Sequence, residues 1–106
     1  MALSLRTRDA QVLVSDRLLE AMSVLLGVDP YGSRWRVDPR DVTLMREAVR
    51  AEIRRVHTAH VDAVGGVEPW RAEWLGSRLR DDEWYMLLRD VEDVLASSEE
   101  VTVLGD

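Results

Sequence analysis

The stretch TRDAQVLVSDRLLEAMSVLL, residues 7–26, decides the fold class. At about 100° per residue, Val14, Leu18, Ala21 and Leu25 fall on one stripe, which Met22 and Leu26 widen. Asp9, Asp16, Glu20 and Ser23 fall on the opposite side. The spacing predicts a first helix over residues 7–26. Gly27 then stands where a left-handed cap ends a helix, with apolar Val28 after it. In DPYG, residues 29–32, Asp is first, Pro second and Gly fourth, which are the preferences of a type I turn.

Outward from that stretch the same period recurs. SRWRV, residues 33–37, reads as a short extended connection. Asp38-Pro39 supplies a side-chain acceptor at N-cap and a proline at N1. The second helix is therefore expected to run from there to about Ala63, stopped by Gly65-Gly66. Its apolar stripe is Val42, Met45, Val49, Ile53, Val56, His60 and Val64. Pro69 opens a shorter helix carrying Trp70 and Trp74. Gly76-Ser77 reads as its interruption, with Ser77 or Asp81 capping a last helix to about Ala96. Trp84, Leu87, Leu88, Val91, Val94 and Leu95 form the buried stripe of that last helix. The fold expected from these periods is all-α: a compact antiparallel bundle of three helices, four if the third is broken, with an extended C-terminal tail. In domain terms, residues 1–98 form a single helical domain and residues 99–106 a tail.

Composition bounds the function. The chain has 106 residues, 46% hydrophobic and 32% charged, in the range of one globular domain. It has no cysteine, so a disulfide framework, a thiolate metal site and a thiol nucleophile are excluded. All 14 basic residues are arginine, a bias expected of a high-GC genome. No apolar run reaches the roughly 20 residues that span a bilayer, and the first residues lack the apolar core of a signal peptide. No membrane association is expected. A cytoplasmic location is, or the host cytoplasm and particle for a viral protein.

The two histidines of the chain, His57 and His60, lie three positions apart on the second helix. One ion can bridge imidazoles at that spacing, but a zinc site takes three or four protein ligands. No carboxylate adjoins either ring on the helix surface. His60 is therefore read as a core-edge residue whose ring nitrogen is satisfied by a neighbour. Phosphate-binding glycine loops, the G-x-S-x-G turn and HExxH are all absent from the sequence. Glu68 and Glu73 read as a solvated pair before they read as an acid and a base. The expectation is a non-catalytic chain with no cofactor and no metal.

Charge is divided unevenly. Residues 1–80 carry 13 Arg against 11 acids, a balance of +2, and residues 81–106 carry Arg89 against nine acids, a balance of −8. Asp81, Asp82 and Glu83 suit a helix N-terminus. Asp90 and Asp93 mark an acidic helix face that suits a basic partner, a second copy of the chain included. On the second helix Arg46, Arg50 and Arg54 form a row that can grip phosphate, tempered by nearby Glu47 and Glu52. Trp35 lies between Arg34 and Arg36, and Trp70 and Trp74 are flanked by Arg71 and Glu73; the latter two either cover one end of the core or, with Trp35, have the composition of interface anchors. The tail segment Val101, Thr102, Val103 and Leu104 is apolar and β-prone. Three placements are open to it: back on the core, paired with residues 33–37, or added to a neighbouring subunit's sheet.

The function expected is protein–protein association. The chain reads as a small adaptor or a self-assembling homo-oligomer, or as part of a larger complex such as a viral particle. Trp35, Arg46, Arg50, Arg54, Trp70, Trp74, Asp90, Asp93, Val101, Val103 and Leu104 are its candidate contacts. The alternative is a regulator that occupies a nucleic-acid-binding protein by acidic mimicry, or a weak nucleic-acid binder through the arginine row. A metal enzyme using the histidine pair comes third.

Overall fold

Residues 7–26 do not form one helix. A computed structural model describes residues 3–29, 35–63, 65, 68–98 and 100–105. In it the chain begins with a hairpin of β1 (Leu3–Arg6) and β2 (Gln11–Val14). A single 3-10 turn over Asp16–Leu18 follows, and only then α1 (Leu19–Leu26). The remaining elements are β3 (Trp35–Arg36), α2 (Pro39–Ala63), α3 (Pro69–Asp81), α4 (Glu83–Ser97) and β4 (Thr102–Gly105). The strands make one antiparallel sheet in the order β2-β1-β4-β3. The all-α helical bundle expected from the sequence is thereby overturned. The protein is mixed, with a helical layer on one face of a small sheet.

The physical reason is a competition of periods. Within LSLR and QVLV the apolar residues alternate, and Leu3, Leu5, Val12 and Val14 all turn to the core. A two-residue period buries one face of a strand. The turn between the strands is closed by its own polar groups. The Thr7 N–H donates to the Ala10 carbonyl at 2.8 Å, and the Ala10 N–H donates to Thr7 Oγ1 at 3.1 Å. The Ser97 hydroxyl donates to the Val94 carbonyl, which leaves the Thr7 hydroxyl to donate to Ser97 Oγ at 2.6 Å. The hairpin is thus fastened to the end of α4.

The C-terminal segment corrects the expected tail. β4 is an inner strand, paired with β1 through Leu5↔Val103 and Arg6↔Thr102, and with β3 through Trp35↔Val103. The Val37 N–H extends that ladder to the Val101 carbonyl at 2.8 Å. Of the three placements open to this segment, the structure shows the first two together. Val101 and Val103 are 0% exposed.

Other elements match their local signals. Gly27 takes the left-handed conformation, φ 69°, and ends α1. The residue after it, Val28, donates its N–H to the Ser23 carbonyl. Asp38 Oδ1 accepts the Arg40 N–H at 2.9 Å at the start of α2. From α2 the residues Val42, Met45, Val49, Ile53 and Val56 enter the core, as do Leu87, Leu88, Val91, Val94 and Leu95 from α4. α4 packs against α2, α3, β1 and β2, and so lies at the centre of the helical layer. Residues 30–32 of the DPYG turn and residues Val64 and Gly66 lie outside the described residues.

Gly76 and Ser77 do not interrupt α3, which continues to Asp81. The break falls at Asp82 instead, where the backbone becomes extended between two helices. Gly76 is an ordinary helix-interior residue: a methyl built on it meets only Arg80 Nη1, at 3.5 Å. Gly76→Ala should therefore stabilise the fold by about 0.5–1 kcal/mol, through a lower entropy of the unfolded chain. A rise in the urea midpoint at unchanged slope is the expected result.

Candidate functional site

His60 and Asp82 meet where α2 passes the α3–α4 junction. Asp82 uses both carboxylate oxygens there. Oδ1 accepts the Tyr85 N–H at 2.9 Å, capping α4, and Oδ2 stands 3.1 Å from His60 Nε2. Burial works to raise the Asp82 pKa. The Tyr85 N–H, the His60 ring and the Trp84 N–H outweigh it and hold the carboxyl below its ordinary value. The expected neighbour for the His60 ring is thus Asp82. His57, one turn earlier on α2, is exposed. Among the described residues no group of three or more His, Cys, Asp or Glu is placed to hold a metal ion. Both residues are three-quarters buried, and the arrangement ties three helices together.

One member of the arginine row is paired within the chain. Arg50 Nε lies 3.5 Å from Glu92 Oε1 on α4. Arg46 has its Nε buried with no hydrogen-bond partner, and Arg54 is exposed. On the next face of α4, Glu83 pairs with Arg17 at 2.9 Å. These two pairs consume two of the acids on α4. Asp90 and Asp93 stay exposed, with no ion pair to any arginine among the described residues.

Asp90 borders a groove of about 330 Å³ between α4 and the hairpin edge. Its apolar lining comes from Leu13, Leu18, Met86 and Leu87, and its charged rim from Arg17, Glu83 and Asp90. Leu13 is 65% exposed and Met86 38%. A second hollow, of about 620 Å³, lies between the C-terminal end of α1 and the first turns of α2, with exposed Val24 and Leu44 on its wall.

The remaining candidates are scattered. Trp74 on α3 is 47% exposed, with the Arg78 guanidinium carbon 5.4 Å from the ring centroid, a cation–π contact one helical turn away. The side chains of Trp35 and Trp70 lie outside the described residues. Val101 and Val103 sit inside the chain's own core, and Leu104 is half-buried on the outer sheet face, across from Ser4. Leu13 and Met86 were not among the expected contacts. The helix drawn over residues 7–26 hid Leu13, whose signal was the alternation in QVLV. The cap of α4 is Asp82, which the sequence places at a helix N-terminus, and not Ser77 or Asp81.

Fold and surface together define a mixed α/β domain whose helices cover one face of an antiparallel sheet and whose hairpin edge borders an acidic, apolar groove. No protein-family model, curated protein or solved structure matches the chain. No helix among the described residues is long and apolar enough to cross a membrane.

Proposed function

We propose that the chain is a non-catalytic protein-association module, a small adaptor or self-assembling subunit that acts through the α4 face and the groove beside it. One observation carries the reading: Asp90, which has no ion pair among the described residues, borders the same groove as exposed Leu13 and Met86. Apolar area drives association, and charge at its edge selects the partner and its orientation. A partner with a basic rim around an apolar patch fits this surface. The anchors differ from those the sequence offered, since Val101 and Val103 are committed to the core. Phosphate binding through Arg46, Arg50 and Arg54 is disfavoured by the Arg50–Glu92 pair. A cysteine-free chain suits the reducing cytoplasm, where we place it.

The test is charge reversal at two exposed positions. Asp90→Arg with Asp93→Arg should abolish assembly, measured as molar mass by light scattering and as co-purifying protein from the native host. The far-UV spectrum of the monomer should not change, because neither carboxylate holds an internal ion pair. An assembly of unchanged mass and composition in the double variant would overturn the reading.

A further inference from the structure

The hairpin edge carries a more specific inference, which rests on the association reading above and names its partner. In an antiparallel ladder the residues of a strand bond alternately to one side and the other. The phase is fixed at both ends of this sheet. The Thr7 N–H reaches the Ala10 carbonyl, and the Val37 N–H reaches the Val101 carbonyl. With the observed registers, Leu3 and Leu5 bond to Val14 and Val12, while Ser4 and Arg6 bond to Leu104 and Thr102. Gln11 and Leu13 therefore turn their N–H and C=O groups outward from β2, which ends the sheet.

Such edges are normally blunted by a lysine, a proline, a bulge or a covering element. QVLV has none of the first three, and its outward-facing Leu13 is 65% exposed. The opposite edge, β3, is only two residues long and ends in an arginine.

We infer that β2 pairs antiparallel with β2 of a second copy across a twofold axis at Val12, joining two four-stranded sheets into one of eight. The geometry of the strand selects this partner. When Gln11 faces Leu13 of the second copy, every outward group of both residues is bonded on both strands. A shift of two residues in either direction leaves half of them unpaired. Side-chain alternation is preserved, so the inner face of the joined sheet stays apolar. Each end of the strand carries both signs, Arg8 and Asp9 before it and Asp16 and Arg17 after it, in mirrored order. Antiparallel pairing brings Arg8 of one copy towards Asp16 of the other, twice, whereas parallel pairing would set like charges side by side. The apolar strip of Leu13 and Met86 along the edge is repeated across the axis, as an isologous contact requires.

Light scattering of the full chain over a dilution series tests this. The wild type is expected to dimerise. Leu13→Pro removes an outward N–H that makes no bond among the described residues, and Leu13→Lys places a charge on the edge. Each should raise the dimer dissociation constant by at least about tenfold while the circular dichroism is retained. Leu44→Lys, an equally exposed leucine on α2, should leave the dimer intact. A wild type that stays monomeric throughout the series overturns strand pairing. So does a dimer that survives both Leu13 substitutions. If that surviving dimer is lost in the Asp90→Arg, Asp93→Arg variant, the acidic-face reading stands and only the strand pairing falls.

Discussion

A chain ending at Ser98 is expected to lose its cooperative fold. Without β4, both β1 and β3 lose their shared neighbour, and every ladder bond through which β4 joins the hairpin to residues 35–37 goes with it. Val101 and Val103, each 0% exposed, leave a gap in the centre of the core. Burying a side chain of this kind contributes about 1.5–3 kcal/mol, so the two together approach the lower end of a domain's net stability, roughly 5–15 kcal/mol. Cavity and ladder losses add to that. Far-UV circular dichroism with urea titration should show no sigmoidal transition for the truncated chain. Val103→Ala should act in the same direction with a loss of about 2 kcal/mol, at about 0.8 kcal/mol per buried methylene plus some cavity cost. A dispensable tail would instead leave the midpoint where it was.

That experiment bears on what a sequence can disclose. α2 and α4 were legible because each carries its own evidence: a cap, a long stripe at helical period, and a terminator. Asp38-Pro39 and the Leu87 to Leu95 stripe required no knowledge of the rest of the chain. The sheet is different in kind. β1 is stabilised by β2 a few residues away and by β4 at the far end of the chain. The four residues LSLR have no local feature that announces the second partner. Val14, Leu18, Ala21 and Leu25 do fall at helical spacing, yet the core takes Val12 and Val14 from a strand and Leu19, Met22 and Leu26 from a helix. A stripe drawn across the Ser15 boundary therefore joined residues of two elements. Tertiary pairing overrode the local period.

The candidate surface divides along the same line. Asp90 and Asp93 were legible as solvent-side residues of one helix, since their position follows from the helical period alone. Leu13 depended on the strand, and Met86 stands out only once Leu13 is beside it across the groove. The spacing of Arg46, Arg50 and Arg54 follows from the helical period, but the pairing of Arg50 with Glu92 is a contact between helices that no single-helix pattern contains. The burial of Val101 and Val103 could be foreseen as one of three placements. Choosing among them needed the pairing with β1.

Asp82→Ala should be the most damaging single substitution at the α3–α4 junction, at a cost of about 2 kcal/mol. Loss of an N-cap acceptor accounts for about 1 kcal/mol of this. The remainder comes from leaving the three-quarters-buried His60 ring without its carboxylate partner. Asp82→Asn separates the two roles, because asparagine caps a helix about as well as aspartate but offers His60 no negative charge. His60→Ala and the double variant close a cycle whose coupling should fall at about 0.5–1 kcal/mol. The pH dependence has a definite sign. The Asp82 carboxyl lies below its ordinary value in the folded chain, since the Tyr85 N–H and the His60 ring outweigh the effect of burial. Its stabilisation is therefore complete above the unfolded carboxylate range, about pH 4, and is lost as pH falls through the lower folded value. Urea midpoints measured from neutral pH downward should show the wild type ahead of Asp82→Asn by a constant margin, which then closes in acid. Equal midpoints for the two proteins at neutral pH would place the stabilisation in the cap alone, and not in the charge shared with His60.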